Sequence, residues 1–306
     1  MPEAWEAECL LDADKVRRLL DAQLPDLKDA PVAYFNEGWD TWIYEVGGKY
    51  LFRFPKRESA DGTLRMELRL LPELEEAVPL PIPSFEFMGR PSKPYPFHFA
   101  GYEKMPGITG FDAKAAPPEP AKIARQLGGF LTRLHSFSRA AAKKLGVPID
   151  ENLGALPLIQ KDALGRLDAV RGILPRKFFQ PLKKVLSRDT ALLGGPAGPS
   201  RLIHNDLCSE HILLAADRRR VTGIIDWGDA EFGDPAMDFA GLLQWLGPEF
   251  MGSVLDAYKL DIDADLRERA RFLACSEGVQ DMHYGMDTGR KEFALAGAAA
   301  ARNALK

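Results

Sequence analysis

The most constraining feature of this sequence is a pair of polar segments, each enclosed by short and mostly apolar runs. The first segment, His204–His211, reads HNDLCSEH and lies between the runs 201–203 and 212–214. The second segment, Ile224–Asp229, reads IIDWGD and follows an apolar run that begins at Val221. Polar loops held between the strands of a core commonly present catalytic groups. The arrangement therefore predicts a rigid catalytic site in the second half of the chain.

Three side chains of these segments, Asp206, His211 and Asp226, fall at the ends of neighbouring predicted strands. If those strands pair, the three groups converge on one point, which suits a carboxylate that activates a hydroxyl group beside a metal ion. His204 is better interpreted as a hydrogen-bonded structural histidine. Two aspartates further along the chain are interpreted as caps of a turn and of the following helix: Asp234 and Asp238.

The hydrophobic pattern changes its period along the chain. Three short runs rich in Val, Ile, Tyr and Phe, at 31–36, 41–46 and 50–55, are typical of β-strands. From residue 121 onward helical spacing dominates, interrupted by the two polar segments and by a loop rich in Gly and Pro at 194–200. The chain is therefore expected to combine a small β-rich part with a larger helical part.

The length of 306 residues indicates about two domains or one large two-lobed unit. The dipeptide Pro106-Gly107 marks a break between the β-rich and the helical parts. We expect a β-rich lobe at 1–101, a connecting hinge at 102–107 and a helical lobe at 108–306.

Composition and charge exclude several classes of protein. Lys and Arg total 40 and Asp and Glu total 44, so the net charge of −4 argues against a dedicated nucleic-acid binder. The three cysteines lie far apart, which argues against a disulfide scaffold and a zinc knuckle. No apolar stretch is long enough to span a bilayer, and the acidic first residues do not resemble a secretory signal. A cytoplasmic protein is therefore expected.

The polar segments resemble those of the aminoglycoside phosphotransferase family, which are small-molecule kinases with the protein-kinase fold. His204-Asn-Asp206 with His211 is similar to their catalytic loop, and Ile225-Asp-Trp-Gly228 to their metal-binding loop. Phe35–Asp40 and Leu51–Pro55 resemble parts of their first lobe. The resemblance implies an α+β, two-lobed fold with a small antiparallel β-sheet N-lobe and a larger, mainly helical C-lobe.

The same resemblance assigns roles to residues of the two loops. Asp206 matches the catalytic carboxylate that orients the acceptor hydroxyl, and Asp226 matches a metal-binding aspartate. His211 stands where most kinases have a metal-binding Asn, although Mg²⁺ prefers oxygen ligands. The implied cofactor is Mg²⁺, with ATP or GTP as the co-substrate.

In the β-rich part, Arg53 falls where kinases have a phosphate-binding lysine, and Glu67 where a helix glutamate pairs with that lysine. Arg binds phosphate in a planar, bidentate manner, so it is not a neutral replacement for Lys. The alternative is that Arg53 is an exposed strand residue and Glu67 an exposed helix residue. In the hinge, the backbone carbonyl of Glu103 and the backbone amide of Met105 are expected to bind the purine edge of the nucleotide.

For the acceptor, Glu277, Asp281 and Tyr284 lie at helical spacing on one face of a predicted helix. An acidic face beside the catalytic loop suits an acceptor that carries amines. The alternative is an ordinary solvent-exposed helix face.

These observations predict a phosphotransferase that moves the γ-phosphoryl group of ATP or GTP to a hydroxyl of a small molecule. Its partners are a nucleoside triphosphate and a small acceptor, without nucleic acid or membrane, and its oligomeric state is left open. A kinase-like nucleotide-binding protein without catalysis is one alternative. The other is a metal-dependent hydrolase with four ligands: His204, Asp206, His211 and Asp226.

Overall fold

The aromatic and β-branched runs of the first third form one antiparallel sheet in the computed structural model, which describes residues 7–152, 155–194 and 200–306. The sheet has the strand order β1-β2-β3-β5-β4. Gly47 and Gly48 form the turn between the second and third strands with φ values of 66° and 67°, which glycine adopts without strain. The five strands are β1 (Val32–Glu37), β2 (Thr41–Val46), β3 (Tyr50–Pro55), β4 (Phe85–Gly89) and β5 (Phe99–Glu103).

Two helices accompany this sheet, α1 (Ala13–Gln23) and α2 (Glu58–Ala77). The Asp12 side chain caps α1 by accepting a hydrogen bond from the backbone amide of Lys15 at 2.7 Å. The buried side of α1 joins the aromatic core that contains Phe52 and Phe54 of β3. The alternate residue of β3, Arg53, is also buried, and its side chain meets α2.

The larger part of the chain is mainly helical, as the spacing of its apolar residues predicts. Its helices are α3 (Pro120–Leu134), α4 (Arg139–Leu145), α5 (Leu156–Leu167), α6 (Arg176–Leu186), α7 (Ala236–Leu246), α8 (Pro248–Ala257), α9 (Leu266–Asp287) and α10 (Lys291–Ala304). The described residues of this part also form five short strands: β6 (Ile108–Thr109), β7 (Arg201–Ile203), β8 (Ile212–Leu214), β9 (Val221–Ile224) and β10 (Glu231–Gly233).

The short strands pair in a way that brings the two polar segments together. Strand β8 lies between β6 and β9, and Ile212 at its start pairs with Ile224 at the end of β9. The backbone amide of Ile225 then donates to the carbonyl of His211 at 3.0 Å. The end of the first polar segment therefore lies directly beside the start of the second.

The chain forms two compact units. One contains the residues up to Glu76 together with Pro81–Pro106, and the other contains Ala77–Leu80 with Gly107–Lys306. The predicted division at 1–101, 102–107 and 108–306, and the action of 102–107 as a hinge, stay predictions. Most of the loop predicted at 194–200 lies outside the described residues. Among the described residues, no helix combines the length and apolarity that crossing a membrane requires.

Candidate active site

His204 connects the two polar segments. Its side chain is fully buried, its Nε2 donates to the carbonyl of Ile225 at 3.0 Å, and its Nδ1 accepts from the amide of Asp206 at 3.3 Å. Burial lowers the pKa of His204, so the imidazole is neutral and both ring nitrogens are engaged. Its ring also lies 4.7 Å from that of Trp227, which is itself buried. His204 therefore has the structural role that the sequence favours.

Asp238 fixes the position of the first polar segment, and its interpretation as a helix cap is wrong. It is fully buried in the first turn of α7, and its carboxylate accepts from the amides of His204 at 3.1 Å and Asn205 at 2.9 Å. It also bonds His135 Nε2 at 3.0 Å, and His135 Nδ1 in turn bonds the hydroxyl of Tyr258 at 2.9 Å. The physical reason is that α7 packs so closely on the loop that the carboxylate reaches the backbone of the loop.

That close packing depends on a glycine. A Cβ added to Gly241 of α7 would stand 2.3 Å from the carbonyl oxygen of Leu207, so only glycine fits there. Asp234, by contrast, caps its turn as predicted by accepting from the amide of Ala236 at 3.0 Å. It also binds the buried Arg269 of α9 at 2.7 Å.

Asp206, His211 and Asp226 converge as expected. His211 Nδ1 lies 3.3 Å from Asp206 Oδ2, and His211 Nε2 lies 3.6 Å from Asp226 Oδ2. The carboxylates are about half exposed, 46% for Asp206 and 52% for Asp226, whereas the imidazole between them is 15% exposed. The arrangement offers two accessible carboxylates on either side of a fixed imidazole.

Two residues of these loops have a left-handed backbone, Asn205 with φ of 69° and Asp226 with φ of 64°. This conformation is unfavourable for residues with a Cβ, at a cost on the order of 1–3 kcal/mol, and such strain clusters at functional sites. For Asn205 the bond from its amide to Asp238 offsets part of this cost. Asp226 is thus held in an orientation that a relaxed loop would not choose.

The electrostatics of the site favour a cation beside His211. Burial opposes a charge on His211, but Cys208, Asp206 and Asp226 together raise its pKa well above the ordinary value. A positive charge is therefore stabilised between the two carboxylates. The donor atoms available there are carboxylate oxygens and an imidazole nitrogen, which suit a divalent cation that also binds phosphate oxygens.

In the β-rich unit, Arg53 and Glu67 form a buried ion pair, with Nη1 and Oε2 2.5 Å apart. The alternative that both are exposed is therefore wrong. Glu103 ends β5 and its exposed side chain pairs with Lys49 at 3.2 Å, while Met105 follows two residues later. These side-chain contacts do not test whether the backbone of Glu103 and Met105 binds a purine, so both roles stay predictions.

The acidic face of α9 contains two of the three predicted acceptor residues. Glu277 accepts from Gln244 of α7 at 2.8 Å, and burial followed by the charges of Asp206 and Asp281 raises the pKa of Glu277 to about 8. Burial followed by the charges of Glu210 and Asp206 raises the pKa of Asp281 to about 7. The alternative of an ordinary solvent-exposed face does not hold for these two, which are partly buried.

Tyr284 lies near the end of α9 and makes different contacts. Its hydroxyl accepts from Arg290 at 3.3 Å, and its ring packs edge-on against Phe293 of α10. The sequence also missed Glu210, a further carboxylate of this region. Burial, together with Asp206 and Asp112, raises the pKa of Glu210. Its position directly before His211 in the first polar segment was the available signal.

The fold and the site define a class: a kinase-like, two-part α+β protein in which two neighbouring polar loops bring two carboxylates and an imidazole together. A family model described as APH, the phosphotransferase enzyme family, matches residues 31–273. The chain therefore belongs to the phosphotransferase enzyme family. The predicted family, the kinase-like fold and the prediction of a phosphotransferase enzyme are confirmed.

Solved structures of similar fold include the GDP complex of wild-type aminoglycoside 2'-phosphotransferase-IIIa. It is 26% identical with a TM-score of 0.77, and the match covers 96% of this chain and 99% of that one. The GDP and kanamycin complex of APH(2'')-IIIa is 26% identical with a TM-score of 0.75, covering 94% and 97%. Macrolide 2'-phosphotransferase type I, 21% identical with a TM-score of 0.66 and covering 96% and 97%, supports the fold alone.

A curated relative matches a short part of the chain. The uncharacterized protein YcbJ of Bacillus subtilis (strain 168) is 41% identical over 61 residues. That match covers 20% of this chain and 20% of the relative.

Proposed function

We propose that this protein transfers the γ-phosphoryl group of ATP or GTP to a hydroxyl group of a small, amine-bearing molecule. The observation that carries the proposal is the convergence of Asp206, His211 and Asp226 on one point in a member of a phosphotransferase family. Phosphoryl transfer asks a protein mainly for positioning and for neutralisation of charge. Asp206 would position the acceptor hydroxyl, and Asp226 and His211 would hold the cation that neutralises the phosphates.

Asp206 is the proposed catalytic carboxylate. Its side chain is about half exposed, so an acceptor hydroxyl can reach it, and its backbone is fixed through His204. Asp206 orients the hydroxyl toward the γ-phosphorus and accepts its proton as the new O–P bond forms. The bond to the leaving nucleoside diphosphate breaks in the same step.

Asp226 and His211 are the proposed ligands of Mg²⁺, through a carboxylate oxygen and Nε2. The two nearby carboxylates support this assignment, because Asp206 and Asp226 lie 3.3 Å and 3.6 Å from the ring nitrogens of His211 and favour a cation at that point, which the neutral ring would bind. Mg²⁺ usually binds one or two protein groups and completes its shell with phosphate oxygens and water. When bound, it neutralises charge on the phosphates of the co-substrate.

Arg53 is the proposed phosphate-binding residue, held in place by Glu67. A buried Arg with a fixed carboxylate partner has a preorganised guanidinium, which suits bidentate binding of phosphate oxygens. The backbone of Glu103 and Met105 is proposed to bind the purine. Two of the similar structures are complexes with GDP, which is compatible with a purine nucleotide as co-substrate here.

The acceptor is proposed to bind through ammonium groups at Glu277 and Asp281, with Tyr284 at the edge of the face. Burial and the charge of Asp206 raise the pKa values of Glu277, Asp281 and Glu210, so some of these three are protonated when no cation is near. An amine-bearing acceptor would compensate this negative field. One similar structure is a complex with kanamycin, which is consistent with such an acceptor.

The hydrolase alternative lacks one of its four ligands. Both ring nitrogens of His204 are engaged, with the Ile225 carbonyl and with the Asp206 amide, so His204 has no nitrogen to offer a metal. The remaining three groups match the kinase assignment.

The experiment that tests the proposal is transfer of labelled phosphate from γ-labelled ATP and GTP to a panel of hydroxyl compounds with and without amines. We expect labelled product with amine-bearing acceptors and none with neutral acceptors of similar size. Labelled product from neutral acceptors alone would contradict the acceptor assignment. Slow nucleotide hydrolysis without any labelled acceptor would contradict the transfer assignment.

Replacing Glu277 with glutamine is expected to raise the KM for an amine-bearing acceptor by about 10- to 100-fold at pH 8.5, because one charge-assisted hydrogen bond is lost. In the wild type, KM should fall as the pH rises from 6 to 8.5, since Glu277 and Asp281 ionise with pKa values of about 8 and 7. In Glu277→Gln, the KM for the acceptor should depend on pH much less than in the wild type. Steady-state kinetics across this pH range measures both effects.

Glu277→Gln should also change how the stability of the folded protein depends on pH. Because the folded state raises the pKa of Glu277, the wild type loses stability as the pH rises from its ordinary pKa through about 8. Glu277→Gln cannot ionise, so its Tm relative to the wild type should increase by about 2 °C or more between pH 6 and pH 9. Glu73→Gln, at an exposed position of α2, is the control and should change neither KM nor the pH dependence of Tm.

A further inference from the structure

Cys208 lies within the catalytic loop and contacts His211, a proposed magnesium ligand. The contact is with Nδ1, the ring nitrogen that is not assigned to magnesium. Its Sγ is 3.6 Å from His211 Nδ1, and the same nitrogen is 3.3 Å from Asp206 Oδ2. One ligand atom from each of these three residues lies within 4.8 Å of the others. A thiol, an imidazole and a carboxylate thus surround one point, and the proposed transfer reaction has no use for the thiol.

The spacing of these atoms matches a tetrahedral zinc site. With Zn–S near 2.3 Å and Zn–N near 2.0–2.1 Å, a tetrahedral angle separates sulfur from nitrogen by roughly 3.6 Å, and nitrogen from a carboxylate oxygen by roughly 3.4 Å. The observed separations are 3.6 Å and 3.3 Å. Zinc could therefore bind without a large change in either distance, from Cys208 Sγ to His211 Nδ1 or from His211 Nδ1 to Asp206 Oδ2.

We propose that Cys208, His211 and Asp206 form an inhibitory Zn²⁺ site, with water in the fourth position. Zinc binds Cys208 Sγ, His211 Nδ1 and a carboxylate oxygen of Asp206, and the thiol proton is released to solvent. The thiolate selects zinc over Mg²⁺, because sulfur ligands suit softer ions. The zinc site itself is independent of the proposed function, whereas its inhibitory effect rests on that function.

The inhibition follows from the two nitrogens of one imidazole. Without zinc, His211 Nδ1 lies 2.8 Å from the carbonyl oxygen of Asp206 and donates to it. In the neutral ring, Nε2 then has its lone pair on the side of Asp226, as the magnesium assignment requires. Zinc on Nδ1 forces the ring proton onto Nε2, which ceases to be a magnesium ligand.

Zinc also occupies the catalytic carboxylate. An Asp206 oxygen bound to zinc is a poor acceptor for the proton of the acceptor hydroxyl. One zinc ion therefore disables both the proposed base and one proposed ligand of Mg²⁺.

The first test measures zinc binding directly, by competition with a chromophoric zinc chelator in excess Mg²⁺. We expect one zinc per chain with a Kd of about 1 µM or tighter, weakened about 100-fold or more in Cys208→Ser. Cys9→Ser is the matched control, since it removes a partly exposed thiol in the β-rich unit, and it should bind zinc like the wild type. Equal zinc affinity of the wild type and Cys208→Ser would overturn the site.

A spectroscopic readout identifies the ligand itself. Co²⁺ in place of zinc should give a thiolate-to-cobalt charge-transfer band in the wild type and in Cys9→Ser, and the band should be absent in Cys208→Ala. A band of equal strength in Cys208→Ala would exclude Cys208 as a ligand. This test and the chelator test give the same answer whether or not the protein transfers phosphate.

The second test is the effect of zinc on turnover, with each variant compared with its own zinc-free rate. We expect zinc at ten times its Kd to reduce wild-type turnover about tenfold, and the same concentration to leave Cys208→Ser within about twofold of its zinc-free rate. Equal fractional inhibition of both proteins would show that zinc acts elsewhere, for example on the nucleotide. Zinc binding at Cys208 without inhibition would contradict the inhibitory role and would also count against Asp206 as the catalytic carboxylate.

Discussion

Replacing Asp206 with asparagine is expected to reduce phosphoryl transfer by about 10²- to 10⁴-fold, because the amide cannot accept the proton of the acceptor hydroxyl. Asparagine keeps the size of the side chain, and the backbone amide of residue 206 can still donate to His204. The loss should therefore appear in kcat, with little change in the KM for either substrate. Transfer of labelled phosphate under saturating conditions measures it.

The affinity for nucleotide separates this prediction from a general loss of structure. The Kd for ATP or GTP should change less than about threefold in Asp206→Asn, because the carboxylate acts on the acceptor and not on the nucleotide. Asp217→Asn, in the exposed turn between β8 and β9, is the matched control and should keep full activity. Wild-type turnover by Asp206→Asn would remove the catalytic assignment, and with it the central argument for the proposed function.

Asp238→Asn is expected to lower both stability and turnover, although Asp238 is a positioning residue. Its carboxylate accepts three hydrogen bonds in a fully buried position, two of them from backbone amides of the catalytic loop. An asparagine amide directs an NH₂ group at these donors, so we expect a loss on the order of 3 kcal/mol and a decrease in Tm of roughly 5 °C. Thermal unfolding monitored by circular dichroism measures this decrease.

The turnover of the same variant, measured well below its Tm, should fall about 100-fold because the loop loses its fixed position. The pH dependence of kcat should keep its shape, since Asp206 remains the base. Asp256→Asn, at an exposed position of α8, should change neither Tm nor kcat by a measurable amount. A folded Asp238→Asn variant with full activity would contradict the positioning role.

The sequence predicted the fold well because its signals are local. Alternating apolar residues and a Gly-Gly turn are sufficient to indicate β1–β3, and the apolar runs around the polar segments indicate β7–β9. The convergence of Asp206, His211 and Asp226 also follows from local order, since each lies at the end of a short strand. Their residue types and spacing then indicate the family.

The role of Asp238 could not be predicted in the same way. It depends on how closely α7 approaches the catalytic loop, and that distance is set by Gly241 against the Leu207 carbonyl and by buried contacts with His135. The raised pKa values of Glu277 and Asp281 likewise arise from burial and from Asp206, a carboxylate that is remote in sequence from both. Tertiary packing, rather than any sequence pattern, decides both.

The anchoring of the catalytic loop by α7 has a consequence for how such a chain changes over evolutionary time. Three side chains hold the loop in place. Asp238 lies on α7, His135 directly follows α3 and Tyr258 directly follows α8, so none of the three belongs to the acidic face of α9. Under the proposed function, substitutions at Glu277 or Asp281 would alter which molecule is accepted without removing any of these anchors. A lineage built on this plan would then explore new acceptors in small steps, each starting from an anchored catalytic loop.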